Sequence, residues 1–371
     1  MAENEITSEE KAQTAVSLRP ALIASQRSLS EYSIFLKHLL AGLTDESVPV
    51  VLVCPPKVDV DSVVAPAIEV VRHPAVDVPL TEHLNRKALL DRLEKSQTNI
   101  LHCLGEGKAA LTRWLAKRLK IPYIVSVDSL RRGQKKVSLS SRLCAKIVVP
   151  AKSVADDFAR TYPKFGERIE QINPGIFADD KTVCFASAER VAGIVIAHPL
   201  DDAVDFDNVF GALRHLAIDG QEFMVALLGS GKAERQIWKR LNALGLLQMV
   251  TIVPRVASPV SVLSAGDIFI VPRPSLGFNP LLLEAMSVGC AVASCKGGVD
   301  DLIVEDKTAV VFDADDELSI YDCLRRLFDR KEFARQIAKF AQQKLKENHK
   351  VSKMVSVTLA AYTAALAWFK R

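Results

Sequence analysis

Three consecutive pieces of sequence decide the fold: Asp267-Ile-Phe-Ile-Val-Pro272, then Leu276-Gly-Phe-Asn-Pro-Leu-Leu-Leu-Glu284-Ala-Met-Ser-Val-Gly289, then Ala291-Val-Ala-Ser294 followed by Lys296-Gly-Gly-Val-Asp-Asp301. The first is a continuous apolar run stopped by proline, which reads as a strand buried on both faces. Such strands belong to parallel sheets covered by helices on each side. The second carries an apolar stretch in which a helix is expected over Pro280 to Val288. Ala291 to Ser294 returns as the next buried strand. Glu284 sits inside that apolar helix, where a buried charge is costly unless something pairs with it; a vicinal diol, such as that of a ribose, would serve.

The same alternation extends in both directions. Strands are expected at Pro20–Ala24, Val48–Cys54, Asn99–Leu104, Ile121–Val127 and Ala145–Val149, with helices at Ser30–Leu43, Thr81–Lys95, Lys108–Leu119 and Ser153–Thr161. After Asn173-Pro-Gly-Ile176 and a polar stretch to Thr182 the pattern restarts. Strands are expected at Gly193–Ala197, Phe223–Leu228, Val250–Val253 and Ala309–Phe312, with helices at Asp207–Ala217, Lys232–Leu244 and Pro259–Ser264, and three closing helices at Asp316–Phe328, Lys331–Asn348 and Val351–Phe369. Apolar strands alternating with amphipathic helices define a doubly wound α/β domain. The 371 residues suit two such domains, and the boundaries fall at residues 1–177, 178–350 and a final helix, 351–371, near the domain seam. Two doubly wound domains in tandem set a cleft between the carboxyl ends of their sheets, where open α/β sheets bind ligands.

Composition narrows the partners. Hydrophobic residues make up 49% and charged residues 25%, and 48 Lys and Arg against 44 Asp and Glu leave +4. That is ordinary for a folded protein and far from the dense basic stripe that nucleic-acid binding calls for. The seven cysteines are scattered and sit in apolar runs, with no paired spacing and no clustered histidines, so neither a disulfide framework nor a metal site is expected. The acidic N-terminus carries no apolar stretch of signal-peptide length, and the expected location is the cytoplasm.

Within this frame, Leu227-Leu-Gly-Ser-Gly231 ends a strand and Lys232 opens a helix. A glycine turn at a helix N-terminus brings free N–H groups close to an anion. Combined with Glu284-Ala-Met286, Gly289 and Gly297-Gly298 in this order and spacing, the chain resembles the retaining glycosyltransferases of family 4, which have the GT-B fold of two Rossmann-like domains facing a cleft. The resemblance is strongest from about Gly193 to Phe328. It implies a nucleotide-sugar donor, a glycan or lipid-linked acceptor, no cofactor and no metal. By resemblance Glu284 would hold the ribose hydroxyls, Gly229 and Gly231 would lie beside the donor, Arg255 would end the strand that flanks the base, and Phe278, Asn279 and Leu281 would line diphosphate and sugar.

Four departures accompany the resemblance. The first glutamate of the family's pair falls at Leu276, which cannot bond a sugar hydroxyl through its side chain. The early Arg and Lys that grip the diphosphate are replaced by His198-Pro-Leu-Asp-Asp202, removing charge-assisted bonds of about 1.5 to 3 kcal/mol each. The first β-to-α loop of the N-terminal half, Ser25 to Ser30, has no glycine. Asp128 stands where the family often has a histidine near the donor sugar and is the weak catalytic candidate. Arg273 and Lys232 are the cations placed to compensate. The basic loop Leu130-Arg-Arg-Gly-Gln-Lys-Lys136 leaves open contact with an anionic acceptor or a membrane surface. The alternative to a divergent transferase is a pseudo-glycosyltransferase that keeps the fold as a binding or scaffolding module.

Overall fold

The computed structural model describes residues 17–370 apart from 57, 61–63, 65, 75–81, 188 and 255–258. The N-terminal domain is built from β1 (Pro20–Ala24), α1 (Gln26–Glu31), α2 (Ser33–Asp45), β2 (Val51–Cys54), β3 (Glu69–Arg72), α3 (Glu82–Lys95), β4 (Ile100–Leu104), α4 (Ala109–Leu119), β5 (Tyr123–Ser126), β6 (Cys144–Val149), α5 (Lys152–Thr161) and β7 (Ile169–Gln171). The C-terminal domain follows with β8 (Ala192–Ala197), α6 (Asp207–Ile218), β9 (Phe223–Leu228), α7 (Glu234–Ala243), β10 (Val250–Val253), α8 (Val260–Ser264), β11 (Ile268–Val271), α9 (Pro280–Val288), β12 (Ala291–Cys295), β13 (Val310–Phe312), α10 (Glu317–Asp329) and α11 (Lys331–Asn348), and a last helix, α12 (Val351–Phe369), ends the described chain.

Each domain holds one sheet, ordered β3-β2-β1-β4-β5-β6-β7 and β10-β9-β8-β11-β12-β13, and every strand pair is parallel. Both orders are those of a doubly wound sheet, which reverses its winding between β1 and β4 and between β8 and β11. Ligands bind at that reversal, outside the carboxyl ends of the strands. The strands read from continuous apolar runs are there and fully buried: Val51–Cys54, Ile100–Leu104, Ile268–Val271 and Ala291–Cys295 are buried at every position. Two short strands were absent from the sequence reading, β3 and β7, and both lie at the edges of the first sheet.

The segment read as the first loop, Ser25 to Ser30, is largely helical. Ser25 Oγ accepts the Ser28 N–H at 3.0 Å and caps α1, so the connection from β1 shrinks to one residue. The chain crosses between domains twice, and the crossings are tied together. Ile176 N–H donates to the His349 carbonyl at 2.8 Å, and His349 Nδ1 lies 2.9 Å from the Pro174 carbonyl oxygen. After the second crossing α12 returns to the N-terminal sheet, burying Met354, Val355, Ala361, Tyr362 and Leu366 in the core shared with α2. The stretch Lys331–Phe369 is long and apolar enough to cross a membrane by composition alone; in α12 much of that apolarity forms this packed face. Tyr362 Oη lies 2.7 Å from His102 Nδ1, and the other ring nitrogen is 2.8 Å from Ser126 Oγ. Burial holds the His102 ring down at about 4: it is a neutral core histidine that fastens α12 to β4.

Candidate functional site: the domain seam

The two sheets meet through the loops that follow β5 and β11. Ser129 and Gly277 form an antiparallel bridge, flanked by Leu130 N–H donating to the Leu276 carbonyl at 2.7 Å and Phe278 N–H donating to the Asp128 carbonyl at 2.8 Å. Tyr32, at the start of α2, adds a third cross-domain bond by donating its hydroxyl to the Phe278 carbonyl at 3.1 Å. On its far side the 275–278 loop rests on the Gly298 turn, where Val299 N–H donates to the Ser275 carbonyl at 2.7 Å. Gly298 has φ +78, and a Cβ there would collide with the Ser275 backbone. A second clasp joins the domains nearby: Asp301 accepts the Ser153 N–H at 3.1 Å and the Ser153 hydroxyl. Helix α5 has no side-chain cap of its own, so Asp301 caps it from the other domain.

Glu284, one turn into α9, is 3% exposed, and its Oε2 is sealed from solvent with no hydrogen-bond partner. Burial alone pushes its carboxyl up to about 8. Buried carboxylates are normally paired, so this one stands out. Asn279 caps α9: its Oδ1 accepts Leu281 N–H at 3.1 Å and Leu282 N–H at 3.2 Å. Leu276 is 47% exposed and offers no side-chain acceptor.

At the β8/β11 reversal stand His198 and Arg273. Arg273 Nη1 pairs with Asp315 at 2.5 Å, and its Nε is 3.8 Å from Asp205, whose other oxygen is 3.4 Å from His198 Nε2. Two acids therefore already balance Arg273. Burial outweighs Asp205 and lowers the His198 pKa. The Gly229–Gly231 turn packs on the segment after β8, where a Cβ at either glycine would strike the carbonyl of His198 or Leu200. Its amides are occupied too: Gly229 N–H donates to the Val253 carbonyl at 3.1 Å and Gly231 N–H to Glu234 at 3.3 Å. Lys232 is exposed beside this turn. Arg255 lies outside the described residues.

Across the seam a cavity of about 60 Å³ opens at the carboxyl ends of β1, β4, β5 and β6, lined by Ser28, Tyr32, Leu104, Ser126, Asp128 and Pro150 among others. Asp128 is raised to about 6, by burial first and by the neighbouring Glu106 second, against the pull of Arg27 and a hydrogen bond from Tyr32. Of the basic loop, Arg131 is buried in an ion pair with Glu106, while Arg132, Lys135 and Lys136 face solvent. Sequence reasoning did not single out Arg27, Ser28, Tyr32 or Glu106, because nothing local marks a residue on α1 or α2 as the neighbour of a loop 246 positions away. Among the described residues no group of three or more His, Cys, Asp or Glu could hold a metal ion.

Two doubly wound domains that meet at the carboxyl ends of their sheets define the GT-B class. Residues 187–344 match the model of the glycosyl transferases group 1 family. The curated sulfoquinovosyl transferase SQD2 of Arabidopsis thaliana is 24% identical over an aligned length of 323 residues that takes in 79% of this chain; the chain spans 62% of the length of that relative. A glycosyltransferase from Rickettsia africae superposes with a TM-score of 0.77 at 13% identity, covering 95% of this chain and 99% of that one. Anabaena HepE, solved with UDP and glucose, gives 0.77 at 11% identity over 94% and 100% of the two chains, and Thermosynechococcus elongatus sucrose-phosphate synthase gives 0.75 at 14% over 95% and 100%. By fold the chain is a GT-B protein, and its C-terminal domain is similar in sequence to the glycosyl transferases of group 1.

Proposed function

We propose that the protein is a glycosyltransferase of the family 4 kind, moving a sugar from a nucleotide-sugar donor to a hydroxyl acceptor with retention of configuration. The observation that carries this reading is Glu284: a buried carboxyl whose Oε2 has no hydrogen-bond partner, at the position that matches the glutamate by which the family binds the nucleotide ribose. Leaving such a group unpaired costs folding free energy, a cost that makes sense where a ligand supplies the missing donors. The naming of one relative as a sulfoquinovosyl transferase and the UDP and glucose held by a protein of the same fold support a nucleotide-sugar donor. The acceptor, a glycan or a lipid-linked precursor, would enter at the Asp128 cavity, with the exposed Arg132, Lys135 and Lys136 available to an anionic acceptor or the cytoplasmic face of a membrane. Catalysis in such a site comes from positioning and from stabilising the departing diphosphate.

A specific observation favours the second reading, a nucleotide-binding scaffold. Leu276 is apolar, Arg273 is already paired with acids, and the loop that would line the sugar is stitched to the opposite domain. Nucleotide release from a panel of nucleotide sugars, with and without crude acceptor extract, separates the two. Release that Glu284→Ala abolishes supports the transferase; nucleotide binding without release at any donor concentration leaves the scaffold.

A further inference from the structure

The cavity in the N-terminal domain is apolar over most of its wall, which includes Phe35, Leu36, Leu104, Val148 and Ile172. Ser126 and Asp128 stand two residues apart where β5 runs out, so they share one face of the strand, and both line the cavity. What Ser126 offers a ligand is decided by the core behind it. Tyr362 is fully buried, and among the described residues its hydroxyl bonds only to His102 Nδ1, at 2.7 Å. A buried phenol proton without an acceptor is costly, so Tyr362 donates and Nδ1 accepts. The His102 ring, held neutral by burial, carries its one proton on Nε2 and donates it to Ser126 Oγ at 2.8 Å. That leaves the Ser126 proton unused, with no acceptor for it among the described residues. The other hydroxyls on the wall are engaged: Ser28 donates to the Leu104 carbonyl, and Tyr32 divides its proton between the Phe278 carbonyl and Asp128.

The cavity therefore presents one hydroxyl proton, one carboxyl and a hydrocarbon wall. Asp128, raised to about 6, is largely ionised at neutral pH and then only accepts. A single ligand group that accepts from Ser126 and donates to Asp128 is a hydroxyl; a ketone or an ether only accepts. Further hydroxyls, as on a sugar ring, would lie against hydrocarbon without partners and weaken binding. We infer that the acceptor is an alcohol whose hydroxyl meets Ser126 and Asp128 and whose adjoining carbons form a compact hydrocarbon body that fills this cavity. The inference rests on the reading of the cavity as the acceptor site. A volume of about 60 Å³ holds about four to six waters, which sets the body at a similar number of non-hydrogen atoms. His102 and Tyr362 are positioning residues: they touch no ligand, and they keep Ser126 a donor toward the cavity.

The test is ligand-observed NMR titration of the whole protein at neutral pH with cyclopentanol, cyclopentanone and glycerol, which have equal numbers of non-hydrogen atoms. Cyclopentanol should bind in the millimolar range, about fivefold or more tighter than the ketone, with glycerol weaker still. Nitrogen-15 NMR of His102 in the same protein should place the ring proton on Nε2. Ser126→Ala, checked for an unchanged circular dichroism spectrum, should weaken cyclopentanol by about threefold to tenfold. The ketone or glycerol binding as tightly as cyclopentanol, cyclopentanol affinity unchanged in a folded Ser126→Ala, or a ring proton on Nδ1 overturns the inference, and the last two outcomes need no common variant. A panel of nucleotides run on the same protein separates this inference from the reading beneath it. Nucleotides bound with no cyclopentanol bound at about 100 mM overturn the inference and leave the transferase standing; cyclopentanol bound with no nucleotide overturns the transferase reading and the acceptor role with it.

Discussion

Glu284→Gln should stabilise the protein while destroying its ligand site, and the gain should depend on pH in a defined way. The Glu284 carboxyl is held at about 8 by burial against an ordinary 4.5, so between these values the unfolded chain releases a proton that the folded chain keeps. Stability is full below pH 4.5 and falls as pH rises through 8. With these two values the penalty is about 1 kcal/mol at pH 5, about 3 at pH 7 and about 4 at pH 8. Glutamine has the same shape and no charge, so it escapes the penalty. Urea unfolding of both proteins from pH 5 to 9 should give curves about 1 kcal/mol apart at pH 5 that diverge to about 3 kcal/mol at pH 7, roughly 6 to 12 °C in melting temperature for a domain of this size. Parallel curves, with a constant offset at every pH, would refute the account of Glu284 as a desolvated, unpartnered carboxyl. A residue whose replacement stabilises the fold and abolishes binding is placed for function.

Two further outcomes follow from the packing. Tyr362→Phe leaves His102 Nδ1 without its partner in the core and should cost about 1 to 3 kcal/mol in urea unfolding; since the His102 ring is held at about 4 against 6.5, wild type should also lose about 3 kcal/mol as pH falls from 6.5 toward 4, a slope absent in His102→Gln. Asp301→Ala removes the cross-domain cap on α5 and should cost about 1 to 2 kcal/mol, with a single calorimetric transition splitting into two as the domains uncouple.

How much of this was legible depended on where each residue's environment comes from. Phe223–Leu228, Val250–Val253, Pro280–Val288 and Val351–Phe369 begin and end where the apolar runs place them, because that signal is local. Glu69–Arg72 and Ile169–Gln171 escaped because edge strands are half-exposed and carry Glu, Arg and Gln in place of an apolar run. The same limit applies to the site. Glu284 was found from its spacing within a motif, and the lack of a partner for it could be anticipated from an apolar helix. The stitching of Leu276 and Phe278 to Asp128 and Leu130 could not, since backbone bonds between domains leave no trace in side-chain type. Asn279 was read as a ligand contact; only the geometry of α9 reveals its oxygen taking both amides. Gly229 and Gly231 illustrate the reverse case, since their lack of a side chain is accounted for by the carbonyls of His198 and Leu200 before any ligand is considered.

The most direct test of the central claim is the melting temperature of wild type and Glu284→Ala against a panel of nucleosides, nucleotides and nucleotide sugars. Ligand at about 100 times its dissociation constant adds roughly 2.7 kcal/mol to the native state. The account predicts that at least one base raises the melting temperature of the wild type by a few degrees and leaves Glu284→Ala unmoved. A shift of equal size in both proteins, or none with any ligand at millimolar concentration, would contradict it.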